Sequence, residues 1–308
     1  MRIVFFGTPA FAVPFLRTLL ESGEEVIALI TQGDKKRGRD RMPFSPPVKE
    51  SAMRYGIRVL QPTNIKDPAF FRELSAMKPE IIIVVAYGMI LPSSILNLPP
   101  YGCVNVHASL LPKYRGAAPI QWALLNGEKK TGVTTMSMNE GLDTGPILLQ
   151  EETEIADEDN TETLSEKLSD LGVSLLMKTV RGLKDSSLKP LPQVGTPSYA
   201  PPLKKEDGRI DWSKGAAEIF NFVRGMYPWP CAYCYFGRER IKIISAKIAQ
   251  GSGIPGRVEK VSKKELLVGT GEGLISIIEL QPEGKRPMAA SAFLQGRKIR
   301  EGSYFDER

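Results

Sequence analysis

Arg2-Ile3-Val4-Phe5-Phe6 runs into Gly7-Thr8-Pro9, an apolar stretch from Phe11 to Leu20 follows, and Glu25-Val26-Ile27-Ala28-Leu29-Ile30 returns to a β-rich run. Strand, turn, helix, strand is the opening of a βαβ unit, and it decides the fold class. Working outward, Ile81-Ile82-Ile83-Val84-Val85-Ala86 is continuously apolar, as a parallel strand covered on both faces must be. Gly102 to His107 and Gly132 to Met138 read as further strands. Over 161–183 the residues Leu164, Leu168, Leu171, Leu175 and Val180 keep helical spacing, and Thr163 with Glu166 is a candidate capping box. An α/β domain is expected from these elements.

Between Lys184 and Leu203 stand Pro190, Pro192, Pro197, Pro201 and Pro202, a density incompatible with helix and typical of an extended linker. The expected division is therefore a first domain over 1–189, a linker over 190–203 and a second domain over 204–308. In the second, Ala216 to Met226 reads as a helix. Short β-rich runs at 241–248, 256–261, 266–268 and 274–280 then alternate with glycine turns. That spacing suggests a small barrel, and an OB-like one is favoured because such barrels often bind single-stranded nucleic acid.

The formal charge is +6. Residues 1–202 carry 22 basic and 22 acidic side chains and residues 203–308 carry 19 and 13, so the surplus lies in the C-terminal third. A surplus confined to one domain suits a polyanionic partner. Three cysteines do not make a disulfide framework, and a reducing cytoplasm fits them. The apolar start is too short for a signal peptide, and no stretch approaches the ~18 apolar residues of a membrane span.

Gly7-Thr8-Pro9 stands where a dinucleotide-binding domain carries its glycine fingerprint, but only the first glycine is present. The pyrophosphate cradle is missing, which argues against a nicotinamide oxidoreductase. His107 is the only histidine in the chain. Two residues apart on one strand, Asn105 and His107 share a face, and an amide beside an imidazole can polarise a carbonyl and move protons as acyl transfer requires. The alternative is a hydrogen-bonded structural histidine. Asp143, in a turn-rich loop, either forms that turn or orients His107 and stabilises its imidazolium form. Cys231-Ala-Tyr-Cys234 has a redox or metal spacing without companion ligands, so buried thiols are expected. Residues 33–42 form a basic loop after a predicted strand end, either a solvated surface or a phosphate contact.

From Asn105-Val-His107-Ala-Ser-Leu-Leu-Pro112 through Lys-Tyr-Arg-Gly-Ala-Ala-Pro119, the chain resembles the 10-formyltetrahydrofolate-dependent formyltransferases. The likeness extends to Phe-Phe-Gly-Thr-Pro-Ala-Phe-Ala at the start, Val-Val-Ala-Tyr-Gly-Met-Ile-Leu-Pro at 84–92, Gly-Leu-Asp-Thr-Gly at 141–145, Arg-Ile-Asp-Trp at 209–212 and Tyr-Pro-Trp-Pro at 227–230. The resemblance implies a Rossmann-like first domain and an OB-like barrel. It implies Asn105, His107 and Asp143 as catalytic residues, and Ser109, Leu110, Leu111 and Pro112 as the folate-contacting segment. In the family's tRNA-acting branch the loop after the second strand carries a basic cluster that enters the acceptor stem. The matching residues here are Arg37, Arg39 and Arg41, with Asp40 departing from the pattern.

The implied activity transfers the formyl group of 10-formyltetrahydrofolate, with no metal, to the amino group of methionyl initiator tRNA, by a cytoplasmic monomer serving translation initiation. Transfer to a nucleotide or amino sugar and hydrolysis to formate are the alternatives within the enzyme class. A non-catalytic RNA-binding module, with Asn105 and His107 structural, is the alternative outside it. The basic insertion and basic second domain favour tRNA, because a small acceptor needs neither.

Overall fold

The computed structural model describes residues 1–37, 42–262, 265–295 and 299–306. The chain divides into two compact units, both discontinuous. The first holds residues 1–119, 130–154 and 165–200, and the second 120–129, 155–164 and 201–308.

The first unit is built on a seven-stranded sheet of β1 (Arg2–Gly7), β2 (Glu25–Ile30), β3 (Val59–Leu60), β4 (Ile81–Val85), β5 (Cys103–His107), β6 (Lys130–Ser137) and β7 (Ile147–Glu154). Their order is β7-β6-β5-β4-β1-β2-β3. The first five strands are mutually parallel, whereas β6 pairs antiparallel with β5 and β7 antiparallel with β6, so the sheet is mixed rather than wholly parallel. The loop 138–146 between β6 and β7 is too short for a crossover helix, and only an antiparallel return fits it.

Every residue of β4 is buried, as are Ile3 to Phe6 of β1, which accounts for their unbroken apolar runs. Helix α1 (Val13–Glu21) begins with a proline in its first turn and buries Phe15, Leu16 and Leu19. Gly7 closes the turn before it. A Cβ there would lie 2.8 Å from Phe5 Cε1 and 2.9 Å from Ala12 Cβ, so only glycine lets the chain turn back this tightly. The chain runs outward from β1 through β2 to β3, then crosses to β4 and β5 on the other side. Strand order thus reverses between β1 and β4, where the strand ends open a crevice.

Helices α2 (Pro47–Arg54), α3 (Pro68–Ala76) and α4 (Ser93–Leu96) join these strands. Asp67 caps α3 by accepting from the Ala69 amide. Residues Lys35–Arg37 pair antiparallel with Met42–Phe44 as a short hairpin. Its stem is fixed at Asp34, which accepts from Gln61 and Lys49, and those bonds hold its carboxyl below the usual range. The proline-rich stretch is tied down as well. Leu191 exchanges backbone hydrogen bonds with Ile147, and Tyr199–Ala200 pairs in parallel with Arg115–Gly116.

Helix α5 (Pro119–Leu125) is followed later by α6 (Thr161–Lys184), which is 24 residues long. The cap of α6 differs from the expected Thr163–Glu166 box. Asn160 Oδ1 accepts from the Thr163 amide, and Thr163 Oγ1 accepts from the Asn160 amide. Thr163 is therefore the inner half of the box, because the amide side chain one turn earlier can reach the orphan donors and Glu166 cannot.

In the second unit, helix α7 (Ala216–Met226) belongs with an antiparallel sheet of β8 (Ala232–Phe236), β9 (Glu239–Ala249), β10 (Val258–Val261), β11 (Leu266–Gly269), β12 (Leu274–Pro282) and β13 (Met288–Ala289). The path is β8-β9-β12-β11-β10, with β13 added to β12. Among the described residues no ladder joins β8 to β10. The buried Arg224 of α7 donates to the carbonyls of Ala156, Asp157 and Asp159, and Arg209 and Trp212 share the Asp306 carboxylate. Cys231 and Cys234 are buried, and burial pushes both thiols up.

Candidate active site

Strand β5 ends on Val104-Asn105-Val106-His107, and the parallel register against β4 sets Asn105 beside Val84. The loop 138–146 brings Asp143 to the same place. His107 Nδ1 lies 3.7 Å from Asp143 Oδ2, and Asn105 Nδ2 lies 3.4 Å from Asp143 Oδ1. The amide of Gly116 donates to Asp143 Oδ2 at 2.8 Å. Asn105, His107 and Asp143 therefore lie together in one group.

The imidazole is oriented from its other side. His107 Nε2 is 2.8 Å from the carbonyl oxygen of Tyr114. A carbonyl can only accept, so Nε2 carries hydrogen and Nδ1 is the lone-pair nitrogen of the neutral ring. That nitrogen faces the Asp143 carboxylate. Tyr114 and Asp143 hold positive φ angles of 59° and 50°, a cost that non-glycine residues bear when surrounding bonds enforce it.

Tyr114, Gly116 and Gln193 were not singled out from the sequence. Gly116 has φ of 123°, and a Cβ there would meet the Ala200 carbonyl oxygen at 2.7 Å. Gln193 Nε2 donates to the carbonyls of Asp143 and Gly145, each at 2.8 Å. The Arg-Gly pair was a faint signal for the first, whereas a glutamine between prolines has no periodicity to mark it.

The segment 109–112 follows β5 directly. Ser109 is fully buried and its hydroxyl donates to the Lys113 carbonyl, while Leu111 is buried with its amide on Thr134 Oγ1 and its carbonyl on Gln150. Leu110 and Pro112 are half-buried. Arg39 and Arg41 lie outside the described residues, and Arg37 ends the first strand of the short hairpin.

At the strand reversal, Thr8 Oγ1 and Gln32 Nε2 both donate to the Tyr87 carbonyl, joining the turns after β1, β2 and β4. The Tyr87 side chain is buried against Phe6, its hydroxyl has no hydrogen-bond partner among the described residues, and burial pushes that phenol up to about 12. Ser93 Oγ donates to the Glu140 carboxylate, tying together the loops that expose Met89, Ile90 and Leu142. A separate cavity of about 610 Å³ lies in the second unit, lined by Trp122, Leu203, Ile219 and Phe222 among others, and holds none of the Asn105 group. Among the described residues no cluster has metal-ligand character and no helix is long and apolar enough to cross a membrane.

Residues 1–180 match the formyl transferase family model and residues 202–298 match the formyl transferase C-terminal domain. A methionyl-tRNA formyltransferase of Thermodesulfovibrio yellowstonii is 55% identical over 300 residues, covering 97% of both chains. The chain belongs to the methionyl-tRNA formyltransferase family. Another relative of that name, from Pelotomaculum thermopropionicum, is 49% identical over 310 residues, covering 100% of this chain and 99% of its own. Among solved structures, a sugar 3N-formyl transferase studied in the presence of dTDP and 5-N-formyl-THF superposes with a TM-score of 0.69 at 21% identity. It covers 93% of this chain and 99% of its own, and shares the fold. For a methionyl-tRNA formyltransferase family member, the Asn105–His107–Asp143 group has the donors and the base that formyl transfer needs.

Proposed function

We propose that the chain transfers the formyl group of 10-formyltetrahydrofolate to the free amino group of methionyl initiator tRNA. The observation that carries this reading is the convergence of Asn105, His107 and Gly116 on the Asp143 carboxylate. The amine nitrogen attacks the formyl carbon, and the carbonyl becomes an oxyanion that Asn105 stabilises by donation, joined by His107 once the ring has taken up the amine proton. His107 takes the proton from the attacking nitrogen at Nδ1 and delivers it to the folate nitrogen as the old carbon–nitrogen bond breaks. Asp143 favours the charged ring between these two transfers. The products are the formylated aminoacyl-tRNA and tetrahydrofolate, with no electrons exchanged.

Folate enters beside Ser109, Leu110, Leu111 and Pro112. Because Ser109 and Leu111 use their own groups internally, Leu110 and Pro112 supply the contact surface, and Met89, Ile90 and Leu142 offer further apolar area. Arg37, Arg39 and Arg41 contact tRNA phosphates. The catalytic part spans 1–189 and the segment 190–203 connects it to a tRNA-binding part over 204–308. We read the antiparallel sheet of that part as an OB-like barrel, on the strength of its antiparallel path and basic surplus. The enzyme acts as a cytoplasmic monomer, in keeping with its unpaired cysteines.

Single-turnover reaction with 10-formyltetrahydrofolate and charged initiator tRNA tests the proposal. The amino group of the methionine becomes formylated at a rate set by enzyme concentration. A methionyl-tRNA that stays unblocked in the presence of folded enzyme refutes it.

A further inference from the structure

The proline-rich segment places one side chain across the parts that hold the catalytic group. Gln193 Oε1 accepts from Arg115 Nε at 3.1 Å and from Arg115 Nη2 at 2.6 Å. Its Nε2 donates to the carbonyls of Asp143 and Gly145. Two acceptor lone pairs and two protons are the whole capacity of a glutamine amide, so every one is used and the orientation of the group is determined. Among the described residues, no other side chain donates to both carbonyls.

The two segments it joins do different work on the same pair of residues. Arg115 lies between Tyr114, whose carbonyl holds His107 Nε2, and Gly116, whose amide holds the Asp143 carboxylate. Asp143 and Gly145 belong to the loop that carries the carboxylate, and Asp143 sits there at a positive φ. Donation to the carbonyl of Asp143 itself and to the one two residues on pins that turn. The Asp143-to-His107 separation of 3.7 Å is then set by two loops cross-linked through one amide.

We propose that Gln193 is a positioning residue of the transfer site, fixing the Asp143 carboxylate relative to His107 without touching either substrate. The inference rests on the formyl-transfer reading given above. Partners behind a catalytic group commonly matter ~10- to 100-fold, and a displacement of about 1 Å is enough for such a loss. Because the lost function is alignment and not binding, the effect belongs in kcat.

Gln193→Ala and Gln193→Glu are the informative variants. Glutamate keeps an acceptor for Arg115 and loses both donors to the loop, so it separates pinning of Asp143 from simple anchoring of Arg115. Steady-state transfer to charged tRNA is measured after thermal melts confirm folding. The ring resonances of His107, the only histidine in the chain, are compared by NMR in the same proteins. Both variants lower kcat by ~10- to 100-fold with both KM values within about threefold, and both move the His107 ring signals. A folded Gln193→Ala with kcat within twofold of the unsubstituted enzyme, or with unmoved ring signals, overturns the proposal. So does a Gln193→Glu variant that behaves as the unsubstituted enzyme. Should the unsubstituted enzyme itself fail to formylate charged tRNA, the functional reading falls, and the ring signals still decide whether Gln193 positions the group.

Discussion

At the scale of single residues, the proposal gives the proton transfers to His107 Nδ1, with the Asp143 carboxylate beside it. His107→Ala and Asp143→Ala each lower turnover by ~100- to 10,000-fold at saturating substrates, with tRNA and folate binding retained. The two act as a unit, so the double variant costs far less than the product of the single losses. Rates of both singles and the double decide this, and multiplicative losses would show that the two act independently. Tyr87 supplies a test of a different kind. Its hydroxyl is buried with no partner among the described residues, so Tyr87→Phe removes a desolvated group without removing packing and leaves stability equal or higher. Tyr87 and Cys103 also set an alkaline limit, since burial pushes both up to about 12 from ordinary values of 10.0 and 9.0. Well below pH 9 both states hold these protons and their contribution to stability is flat. Between about pH 9 and 12 the unfolded chain releases them first, and stability falls by up to ~1.4 kcal/mol per pH unit for each group. Melting temperatures over that range check the slope, which becomes shallower in Tyr87→Phe.

At the scale of elements, the site depends on close backbone approaches. Gly116→Ala forces a methyl group to 2.7 Å from the Ala200 carbonyl at a φ of 123°, so the short ladder opens and the amide donor to Asp143 is displaced. The expected result is a loss of a few kcal/mol, of order 1–3, in denaturant titration, together with reduced turnover. Asn160→Ala removes the cap of α6 and costs about 1 kcal/mol with turnover unchanged. These elements also show what the sequence could reveal. Unbroken apolar runs marked β1 and β4 because both faces of those strands are covered, and the period of Leu164 to Val180 marked α6. The proposed Asn105–His107 pair was legible because two polar residues alternate with valines on β5 and one of them is the only histidine in the chain. Strand β3 was missed because two residues hold no pattern, and β8 because Ala232 to Phe236 mixes small and aromatic residues just after Pro-Trp-Pro. The roles of Gly116 and Gln193 depend on segments far apart in the chain, where local reading has nothing to detect.

At the scale of the whole molecule, the chain combines an α/β unit carrying the catalytic group with a unit whose sequence from 203 onward holds the basic surplus. Neutralising Arg37, Arg39 and Arg41 together leaves the melting temperature unchanged and weakens productive tRNA binding. The dependence of log affinity on log salt then becomes shallower by ~0.7–0.9 for each phosphate that these arginines no longer neutralise. An unchanged affinity and slope would remove the loop from the interface. The central claim is that this catalytic group serves a charged tRNA and not a small amine or water. Competition tests it most directly. Formyl-labelled 10-formyltetrahydrofolate is supplied with methionyl initiator tRNA, a nucleotide-linked amino sugar and water together, and the fate of the label is followed in the unsubstituted enzyme and in His107→Ala. The predicted result is label on the amino group of the methionyl-tRNA, dependent on His107; label on the sugar, or released as formate while the tRNA stays unformylated, would contradict it.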